Sequence, residues 1–380
     1  DLRDANGDPL RIDVQLDGET VKVGIWKVPV GRNFLVLLDT NLPENSPHSR
    51  TITEQLYGGD RENRIRQEVV LGVGGPRALE AMGLKPTLYH VNEGHSAFLL
   101  FERIRHLMAD RKISFKEARE AVWASSVFTT HTPVMAGNEY FDFELVRKYM
   151  EPYCRQMGLT MTEFLEIGKE EPTSSMGFCM TVVALRLCAF LNAVSLLHRD
   201  TSREMWQKIW PQLPRHEVPI EGITNGVHTS SWISHELHKL FQKHLSGDSR
   251  GGEVSLENCD WNKLDGIDDR ELWETHLIRK QKLVKLVRDR LKRQYQRLGS
   301  DRTVLEEVGQ VLNPDYLTIG FARRFATYKR ATLFMRNLER LLEIVTSEKM
   351  PVQFVVAGKA HQADTHGKEY IKAVARLTMD

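Results

Sequence analysis

Hydrophobic and polar residues follow a strand-like pattern near the start of the chain. Residues 10–16, 21–30 and 34–38 alternate or run apolar, as antiparallel strands do when one face is buried. Asp17-Gly18 separates the first two segments, and an Asp-Gly pair is a strong signal for a two-residue hairpin turn. The pattern therefore predicts an antiparallel sheet in this part of the chain.

Further along, short apolar strands alternate with segments of helical spacing. Residues 87–91 and 127–129 are predicted strands, and helices are predicted to fill most of residues 141–298. The glycine-rich run at residues 72–76 follows a helix and lacks the full dinucleotide-binding fingerprint. We therefore expect this run to form a corner between two helices.

The most apolar stretch of the chain is residues 177–197. It carries Arg186 near its centre and Asn192 further on, which a lipid-embedded helix would bury at high cost. The stretch is therefore predicted to be a buried core helix, and the sequence predicts no interaction with a membrane.

The last part of the chain has the pattern of a strand–helix–strand–helix unit. Residues 316–319 are predicted to form a buried parallel strand and residues 352–357 a second strand, and helical spacing marks residues 331–345 and 364–377. Two strands and two helices bury too little surface to close a core of their own. With the non-methionine start at Asp1, this leads us to expect an internal fragment of a longer protein.

The whole pattern predicts an α/β protein whose last part, from about residue 313, is the opening of a nucleotide-binding-type domain that is only partly present. The predicted domains are residues 1–312 and 313–380.

Charge and cysteine content narrow the class of protein. The net charge of +1 gives no general attraction to nucleic acid or to acidic membranes. One helix, residues 278–298, holds nine Lys and Arg against one acid, but Leu283, Leu286, Val287 and Leu291 predict an ordinary buried stripe on it. We therefore expect no nucleic-acid partner. The four cysteines have no Cys-x-x-Cys spacing, which favours a reducing, cytoplasmic compartment over zinc binding.

Four cations follow the strand at residues 316–319. They are Arg323, Arg324, Lys329 and Arg330, and they stand between the end of this strand and the predicted helix. Open α/β sheets bind ligands at the carboxyl ends of their strands, where the free N–H groups and the dipole at the start of the following helix favour an anion. Arginine also matches phosphate with a planar pair of donors. The cluster therefore predicts an anion site, with a solvated basic surface as the alternative.

Three polar clusters also stand at strand ends or tight turns: residues 92–95, 130–132 and 224–228. They mix Asn, Thr and His, side chains that suit hydrogen bonds to sugar hydroxyls. The sequence has no His-Glu-x-x-His helix and no Gly-x-Ser-x-Gly elbow, so neither a metal site nor a serine hydrolase is predicted. Together with a phosphate-type loop, the clusters predict a polar pocket for a sugar beside an anion.

Several ordered motifs resemble the α-glucan (glycogen/maltodextrin) phosphorylase family over nearly the whole chain, and most closely its compact prokaryotic branch. The motifs are Leu56-Tyr57-Gly58-Gly59-Asp60, Gly74-Gly75-x-Arg77-Ala78-Leu79, Asn92-Glu93-Gly94-His95-Ser96, Phe128-Thr129-Thr130-His131-Thr132-Pro133, Ile223-Thr224-Asn225-Gly226-Val227-His228-Thr229 and Arg324-Phe325-Ala326-Thr327-Tyr328-Lys329-Arg330. The resemblance implies a GT-B architecture of two doubly wound, Rossmann-like domains, the second only partly present in these residues. It also implies a retaining glycosyltransferase that reversibly converts α-1,4-glucan and inorganic phosphate to glucose 1-phosphate with the help of pyridoxal phosphate, and it allows a homo-oligomer.

The resemblance also assigns roles to residues of this sequence. Arg324 and Lys329 would hold the substrate phosphate, Arg323 would lie near the cofactor phosphate, and His131 would meet the glucosyl unit through its backbone carbonyl. Asn225 would bond a sugar hydroxyl. The residues expected to line the catalytic pocket are Asn92, Glu93, His95 and Asp60.

This sequence departs from the family pattern in two ways. The cofactor lysine is expected beyond Asp380, so this chain alone should be inactive and should not bind the cofactor covalently. Leu191-Asn192-Ala193 stands where Ala-Asn-Gly is expected, and alanine would be strained if this position needed a positive φ.

Two other functions stay open at this point. A nucleotide-sugar glycosyltransferase of the same architecture would also hold a diphosphate with Arg and Lys, and a non-catalytic glucan-binding module would need no cofactor lysine.

Overall fold

The computed structural model describes residues 2–3, 6–56, 58–245, 259–360 and 364–377, so Tyr57 of the Leu56–Asp60 motif lies outside the described residues. The chain divides into two compact units, Asp1–Gly226 and Val227–Asp380. The boundary predicted at residue 312 falls inside the second unit, and it stays a prediction about domains.

The first unit opens with an antiparallel sheet of three strands, β1 (Arg11–Leu16), β2 (Glu19–Val30) and β3 (Asn33–Asp39). Asp17 and Gly18 both have positive φ, at 48° and 77°, as a type I′ hairpin turn requires. The antiparallel sheet predicted from the hydrophobic pattern is therefore confirmed.

Four parallel strands form the central sheet of this unit, in the order β4-β5-β8-β9. They are β4 (Tyr89–Asn92), β5 (Ser126–Thr130), β8 (Phe190–Ala193) and β9 (Glu221–Gly222); β6 (Tyr140–Phe141) and β7 (Phe178–Cys179) form a separate antiparallel pair. Helices of this unit are α1 (Pro47–Arg50), α2 (Arg61–Ala81), α3 (Phe98–Arg111), α4 (Phe115–Ala124), α5 (Phe143–Gln156), α6 (Met161–Gly168), α7 (Met180–Leu187) and α8 (Leu196–Met205).

Aromatic rings fill the core between these helices. Phe164 stacks on Phe178 with ring centroids 5.6 Å apart, and it lies 4.5 Å from the ring of Phe101. All three side chains are almost fully buried. The core therefore fixes α3 and α6 against β7.

Helix α2 is continuous from Arg61 to Ala81, so the predicted corner at residues 72–76 is wrong. The glycines there serve close packing instead, since a Cβ on Gly72 would lie 2.6 Å from Cβ of Phe98 in α3. Pro76 is accommodated inside the helix although it has no N–H to donate. Helix α2 thus continues through Gly72, which packs against α3, and through Pro76, although glycine and proline usually end helices.

The apolar stretch at residues 177–197 is also not one helix. It contains β7, then α7, then β8, so the prediction of a single core helix is wrong, although its burial is right for most positions. A short apolar run buried on all sides has no period that separates a helix from a strand. Within the described residues, none of the helices is long and apolar enough to cross a membrane.

The second unit contains a two-stranded parallel sheet, β10 (Leu317–Ala322) and β11 (Val352–Ala357), as the sequence predicts. The expected burial of β10 is wrong, because Leu317 is 61% exposed and Ile319 42% exposed. Helix α13 (Leu338–Val345) begins only after Asn337 caps it, so the predicted helix at residues 331–345 is shorter than expected. The other helices of this unit are α9 (Thr229–Trp232), α10 (His235–Leu245), α11 (Asp269–Arg297), α12 (Arg302–Val308) and α14 (Thr365–Leu377).

Helix α11 does not bury the stripe that its sequence predicts. Leu283 and Leu286 are 38% and 50% exposed, whereas Val284 and Lys280 are buried. Lys280 donates from Nζ to the carbonyl of Tyr316 at 2.8 Å, which satisfies the buried ammonium. The neighbouring elements therefore cover a different face of α11 from the one that hydrophobicity alone selects.

Candidate functional site

The three polar clusters of the sequence lie at one edge of the four-stranded sheet. Asn92 ends β4, Thr130 ends β5 and Gly222 ends β9, and the clusters follow these strands directly. Because the strands are parallel, their carboxyl ends meet at the same edge. The expectation that the clusters stand at strand ends is confirmed for this unit.

Glu93 joins two of these clusters. Its Oε1 accepts hydrogen bonds from the backbone N–H of His131 and from the hydroxyl of Thr132, the latter at 2.9 Å. The backbone of Glu93 has φ 64° and ψ 173°, a conformation that glycine adopts far more readily than a residue with a side chain. The fold thus holds a strained glutamate at this edge, where it fixes the Thr130–His131 peptide group directly before the His131 carbonyl.

Asn225 is tied to the same edge. Its backbone N–H donates to the carbonyl of Val194 at 3.1 Å, and Ile223 donates to the carbonyl of Ala193 at 3.0 Å. The loop after β9 therefore continues alongside β8. The side chains of Asn225, Asn92 and His131 are exposed at this edge.

His95 contacts helix α2, a link that the sequence did not suggest. Its Nδ1 lies 3.3 Å from Oε1 of Glu68 and 3.4 Å from Nη2 of Arg64. Arg64 also donates to Glu68 at 3.0 Å and to Glu139 at 3.4 Å. Burial raises the pKa of Glu68 to about 6, and the hydrogen bond to Glu68 raises the pKa of His95.

The group formed by Glu68, His95 and Glu139 has the donor atoms of a metal site, all within 4.8 Å of one another. Arg64 already places a guanidinium against all three, and its positive charge takes the place that a cation would need. We therefore assign the group to ion pairing, and the absence of a metal site stays a prediction.

A pocket of about 730 Å³ adjoins this group. Asn92 and His95 line it on one side and Arg64 and Glu68 on another. An apolar wall from the β2–β3 hairpin and α2 completes it, including Trp26, Val36, Leu37, Leu38, Val70 and Leu71. An apolar wall with a few convergent polar groups is the usual composition of a small-molecule pocket.

Asp60 does not line this pocket. Its carboxylate caps α2 by accepting from the N–H of Asn63 at 2.8 Å, one helical turn before Arg64. The side chain thus has a structural task, and its predicted place in the catalytic pocket stays a prediction.

In the second unit, the four predicted cations follow the carboxyl end of β10. Arg323, Arg324 and Arg330 are exposed and Lys329 is half-buried. Among the described residues, none of the four has a carboxylate partner within ion-pair distance. The loop therefore presents unneutralised positive charge, as an anion site requires.

The reason given for that anion site from the sequence needs one correction. No helix begins at the cation loop, because Thr327–Lys329 forms one 3₁₀ turn and Arg330 has left-handed backbone angles, φ 54° and ψ 40°. A helix dipole therefore contributes nothing here. The loop is held by backbone bonds to the loop after β11, from Arg323 N–H to the Ala357 carbonyl at 3.2 Å and from Phe325 N–H to the Lys359 carbonyl at 2.9 Å.

Comparison with known proteins fits these two sites. A family model described as carbohydrate phosphorylase matches residues 82–379. The chain belongs to the carbohydrate phosphorylase family. It is 41% identical to the maltodextrin phosphorylase of Thermococcus litoralis over 99% of this chain and 44% of that protein. It is also 39% identical to the glycogen phosphorylase of Mycobacterium tuberculosis, over 99% of this chain and 44% of that protein, and 35% identical to that of Aquifex aeolicus, over 99% and 54%. The chain thus spans about half the length of these curated relatives.

Family membership allows a check on the segment Leu191-Asn192-Ala193. Ala193 lies in β8, opposite Thr130 and Gly222, and it is not among the residues with positive φ. The condition for strained alanine, a positive φ, is therefore not met at this position. Asn192 accepts a hydrogen bond from Thr129 at 2.7 Å, which joins β5 and β8 through their side chains.

The sequence analysis missed Arg64, Glu68 and Glu139. Glu68 stands next to Val69 and Val70, so a glutamate among buried positions of α2 was the available signal. Charged residues are almost never fully buried unless they are paired. Such a residue therefore points to a partner, but the partner itself is distant in sequence.

Proposed function

We propose that this chain is part of an α-1,4-glucan phosphorylase, a retaining glycosyltransferase that transfers a glucosyl unit reversibly between glucan and inorganic phosphate. The observation that supports it most is the link from Glu93 to His131, because it joins two of the family's motifs into one polar edge. The names of the relatives and the apolar-walled pocket agree with a sugar substrate.

The glucan would lie at the carboxyl edge of the four-stranded sheet. The carbonyl of His131 would accept from the glucosyl unit, in an orientation that the bond from its own N–H to Glu93 fixes. Asn225 would bond a sugar hydroxyl, Asn92 and His95 would line the pocket, and Asp60 would support it through α2.

Arg324 and Lys329 would hold the substrate phosphate, with Arg323 near the phosphate of the cofactor. Inorganic phosphate held by these cations would give its proton to the glycosidic oxygen as the bond from that oxygen to the anomeric carbon breaks, and a phosphate oxygen would then bond to that carbon. The phosphate charge stabilises the oxocarbenium-like transition state between the two events. We further propose a GT-B arrangement of two domains, a cytoplasmic location, which four free cysteines suit, and a homo-oligomeric protein.

Pyridoxal phosphate is the cofactor that this function implies. The unneutralised cations after β10 fit a phosphate group, so Arg323 is the residue of this chain that would hold it. When bound, the cofactor would supply a phosphate that exchanges a proton with the substrate phosphate. The proposal includes no attachment lysine within these residues, so this chain by itself would be inactive.

The test uses the protein as its gene encodes it, with maltoheptaose and inorganic phosphate as substrates. Replacing Arg324 by Ala should lower phosphorolysis about tenfold to a hundredfold, the effect of losing one or two units of 1.4 kcal/mol in transition-state binding. The loss should appear in the kinetics for phosphate, while glucan affinity stays nearly constant.

Arg330→Ala is the matched control, because Arg330 is an exposed cation of the same loop that lies beyond the 3₁₀ turn. It should retain most of the activity. Equal effects of the two substitutions would contradict the phosphate assignment. Turnover of a nucleotide sugar without phosphorolysis would replace the proposal by the nucleotide-sugar transferase.

A further inference from the structure

Glu68 is a buried carboxylate that is only partly satisfied. Its side chain is 2% exposed, and its Oε1 receives the contacts from Arg64 and His95. Its Oε2 is buried and has no hydrogen-bond partner in the part of the chain that the structure describes. An unsatisfied buried oxygen costs stability, so packing alone does not account for a glutamate at this position.

A second buried glutamate in the same unit shows the contrast. Glu102 is 3% exposed, and both of its oxygens accept hydrogen bonds from guanidinium groups, three bonds of 2.7–2.8 Å from Arg77 and Arg105. These partners lower the pKa of Glu102 although burial opposes them, whereas burial dominates at Glu68 and raises its pKa. Glu102 therefore behaves as a structural ion pair and Glu68 does not.

The contact with His95 gives Glu68 a task. A carboxylate can only accept a hydrogen bond and a guanidinium can only donate one, so the protonation of Nδ1 decides which of Glu68 and Arg64 the imidazole bonds. Nδ1 is 3.3 Å from the carboxylate and 3.4 Å from the guanidinium. A proton on Nδ1 also gives the charged acceptor a donor, which is the more favourable arrangement for a buried carboxylate.

We propose that Glu68 is a positioning residue that holds the neutral imidazole of His95 with its proton on Nδ1, so that Nε2 accepts a hydrogen bond from a hydroxyl of a glucan in the adjoining pocket. The glucan part of this inference rests on the proposed function; the link between Glu68 and His95 does not.

Charged groups of the described chain face the imidazole from more than one segment. Arg64 and Glu68 face it from α2, Glu139 reaches Arg64 from the segment before β6, and Glu93 stands on the same loop as His95. Glu68 raises the pKa of His95 most strongly through their hydrogen bond, and Arg64 opposes it. Losing the charge of Glu68 should therefore lower the pKa at which His95 loses its second proton.

Nitrogen-15 NMR of the histidine side chains tests the link without any substrate. The chain holds 14 histidines, so His95→Gln identifies the signals of His95 by their loss. We expect the wild-type neutral ring to carry its proton on Nδ1, and Glu68→Gln to lower the pKa of His95. Glu102→Gln, the same substitution at an equally buried site, should leave the His95 titration unchanged.

Two results would overturn the link. One is a His95 titration that is the same in the wild type and in Glu68→Gln. The other is a neutral wild-type ring protonated on Nε2, a result that does not depend on whether the Gln variant folds.

The glucan part is tested by adding maltoheptaose to the wild-type chain above the pKa of His95. A change of the His95 Nε2 signal, reduced at least about tenfold in apparent affinity by Glu68→Gln but not by Glu102→Gln, supports it. No change at any maltoheptaose concentration overturns the glucan role of His95, and this failure is separate from the substrate-free result.

Discussion

The two parallel sheets that the structure describes both contain short apolar strands, but their environments differ. In the first unit, Leu191 lies on β8 and is 6% exposed, whereas in the second unit Leu317 lies on β10 and is 61% exposed. The sequence pattern predicted the strand at β10 and placed β8 inside a core helix. The comparison shows that the burial of a strand depends on which other elements cover its sheet, and that an apolar run buried on all sides does not reveal its own secondary structure.

The candidate sites of the two units differ in how their side chains are held. The polar edge of the first unit is cross-linked by carboxylates, from half-buried Glu93 to the His131 loop and from buried Glu68 to His95. The cation loop of the second unit is bonded to the neighbouring loop through backbone groups, and its three arginines are exposed. The first unit thus fixes its side chains in place, while the second presents charge on a fixed backbone.

The largest expected effect separates the two sheets directly. Leu191→Ala should lower the free energy of unfolding by about 2–5 kcal/mol, because it leaves a cavity in a closed core. Leu317→Ala, the same substitution in β10, should change it by roughly 0.5 kcal/mol or less. Urea denaturation with hydrogen exchange resolved by unit measures both. Similar losses at the two sites would show that β10 is covered in solution.

A second prediction concerns the loops that hold the cations. A Cβ on Gly358 would lie 2.1 Å from the carbonyl oxygen of Arg323, so Gly358→Ala must push apart the loops after β10 and β11. We expect the free energy of unfolding to fall by about 1–3 kcal/mol. Faster amide exchange at Phe325 should accompany it, because that N–H bonds the neighbouring loop.

Gly320→Ala is the control for this substitution. Gly320 lies in β10 itself, and a Cβ there would meet no atom within 4 Å. It should be neutral or slightly stabilising, since alanine costs less backbone entropy than glycine. A loss as large as that of Gly358→Ala would contradict the close-approach argument.

The contributions of a buried carboxylate and of an ion-paired one to the free energy of unfolding should change with pH in opposite directions. Burial raises the pKa of Glu68 from 4.5 to about 6, so its contribution to stability is fully present below pH 4.5 and is lost as the pH rises through about 6. The free energy of unfolding of Glu68→Gln, relative to that of the wild type, should therefore rise by about 2 kcal/mol between pH 4 and pH 7, the equivalent of 1.5 pKa units.

Half-buried Glu236 of the second unit provides the opposite case. Hydrogen bonding to Lys282 lowers its pKa to about 2, so its contribution is present above the unfolded pKa and is lost as the pH falls through about 2. Glu236→Gln should therefore lose stability relative to the wild type at neutral pH, and the loss should fade on acidification and in high salt. Urea titrations at several pH values measure how the free energy of unfolding of each variant, relative to the wild type, changes with pH. A change in the same direction for Glu68→Gln and Glu236→Gln would contradict the prediction.

The smallest effects should be the same in both units. Ser114 caps α4 with a capping box, and Asn337 caps α13 by accepting from the N–H of Arg340 at 2.9 Å. Replacing either by Ala should cost about 1 kcal/mol, because a cap is a local interaction that needs no covering layer. Unfolding measured by circular dichroism tests both; a difference above about 1 kcal/mol would show that tertiary context decides even the caps.

The sequence predicted the elements whose signals are local. The hairpin at Asp17-Gly18, the strand at Val352–Ala357 and the polar clusters at strand ends depend on turn chemistry and on short-range periodicity. The family resemblance, which depends on ordered motifs, is confirmed. The prediction of a corner at residues 72–76 was wrong because Gly72 packs closely against Phe98, a residue 26 positions away.

The candidate site divides along the same line. The sequence alone selected Asn92, Glu93, His95, His131 and Asn225, because polar residues after apolar strands mark a ligand edge, and it placed the cations after β10 correctly. Only the tertiary structure decided that Glu93 bonds the His131 loop, that Glu68 bonds His95, and that β10 is exposed where β8 is buried. The local pattern of a segment predicts many of its turns and strands. Side-chain partners and burial depend instead on which distant segments pack against it, and the order of residues along the chain does not give those contacts.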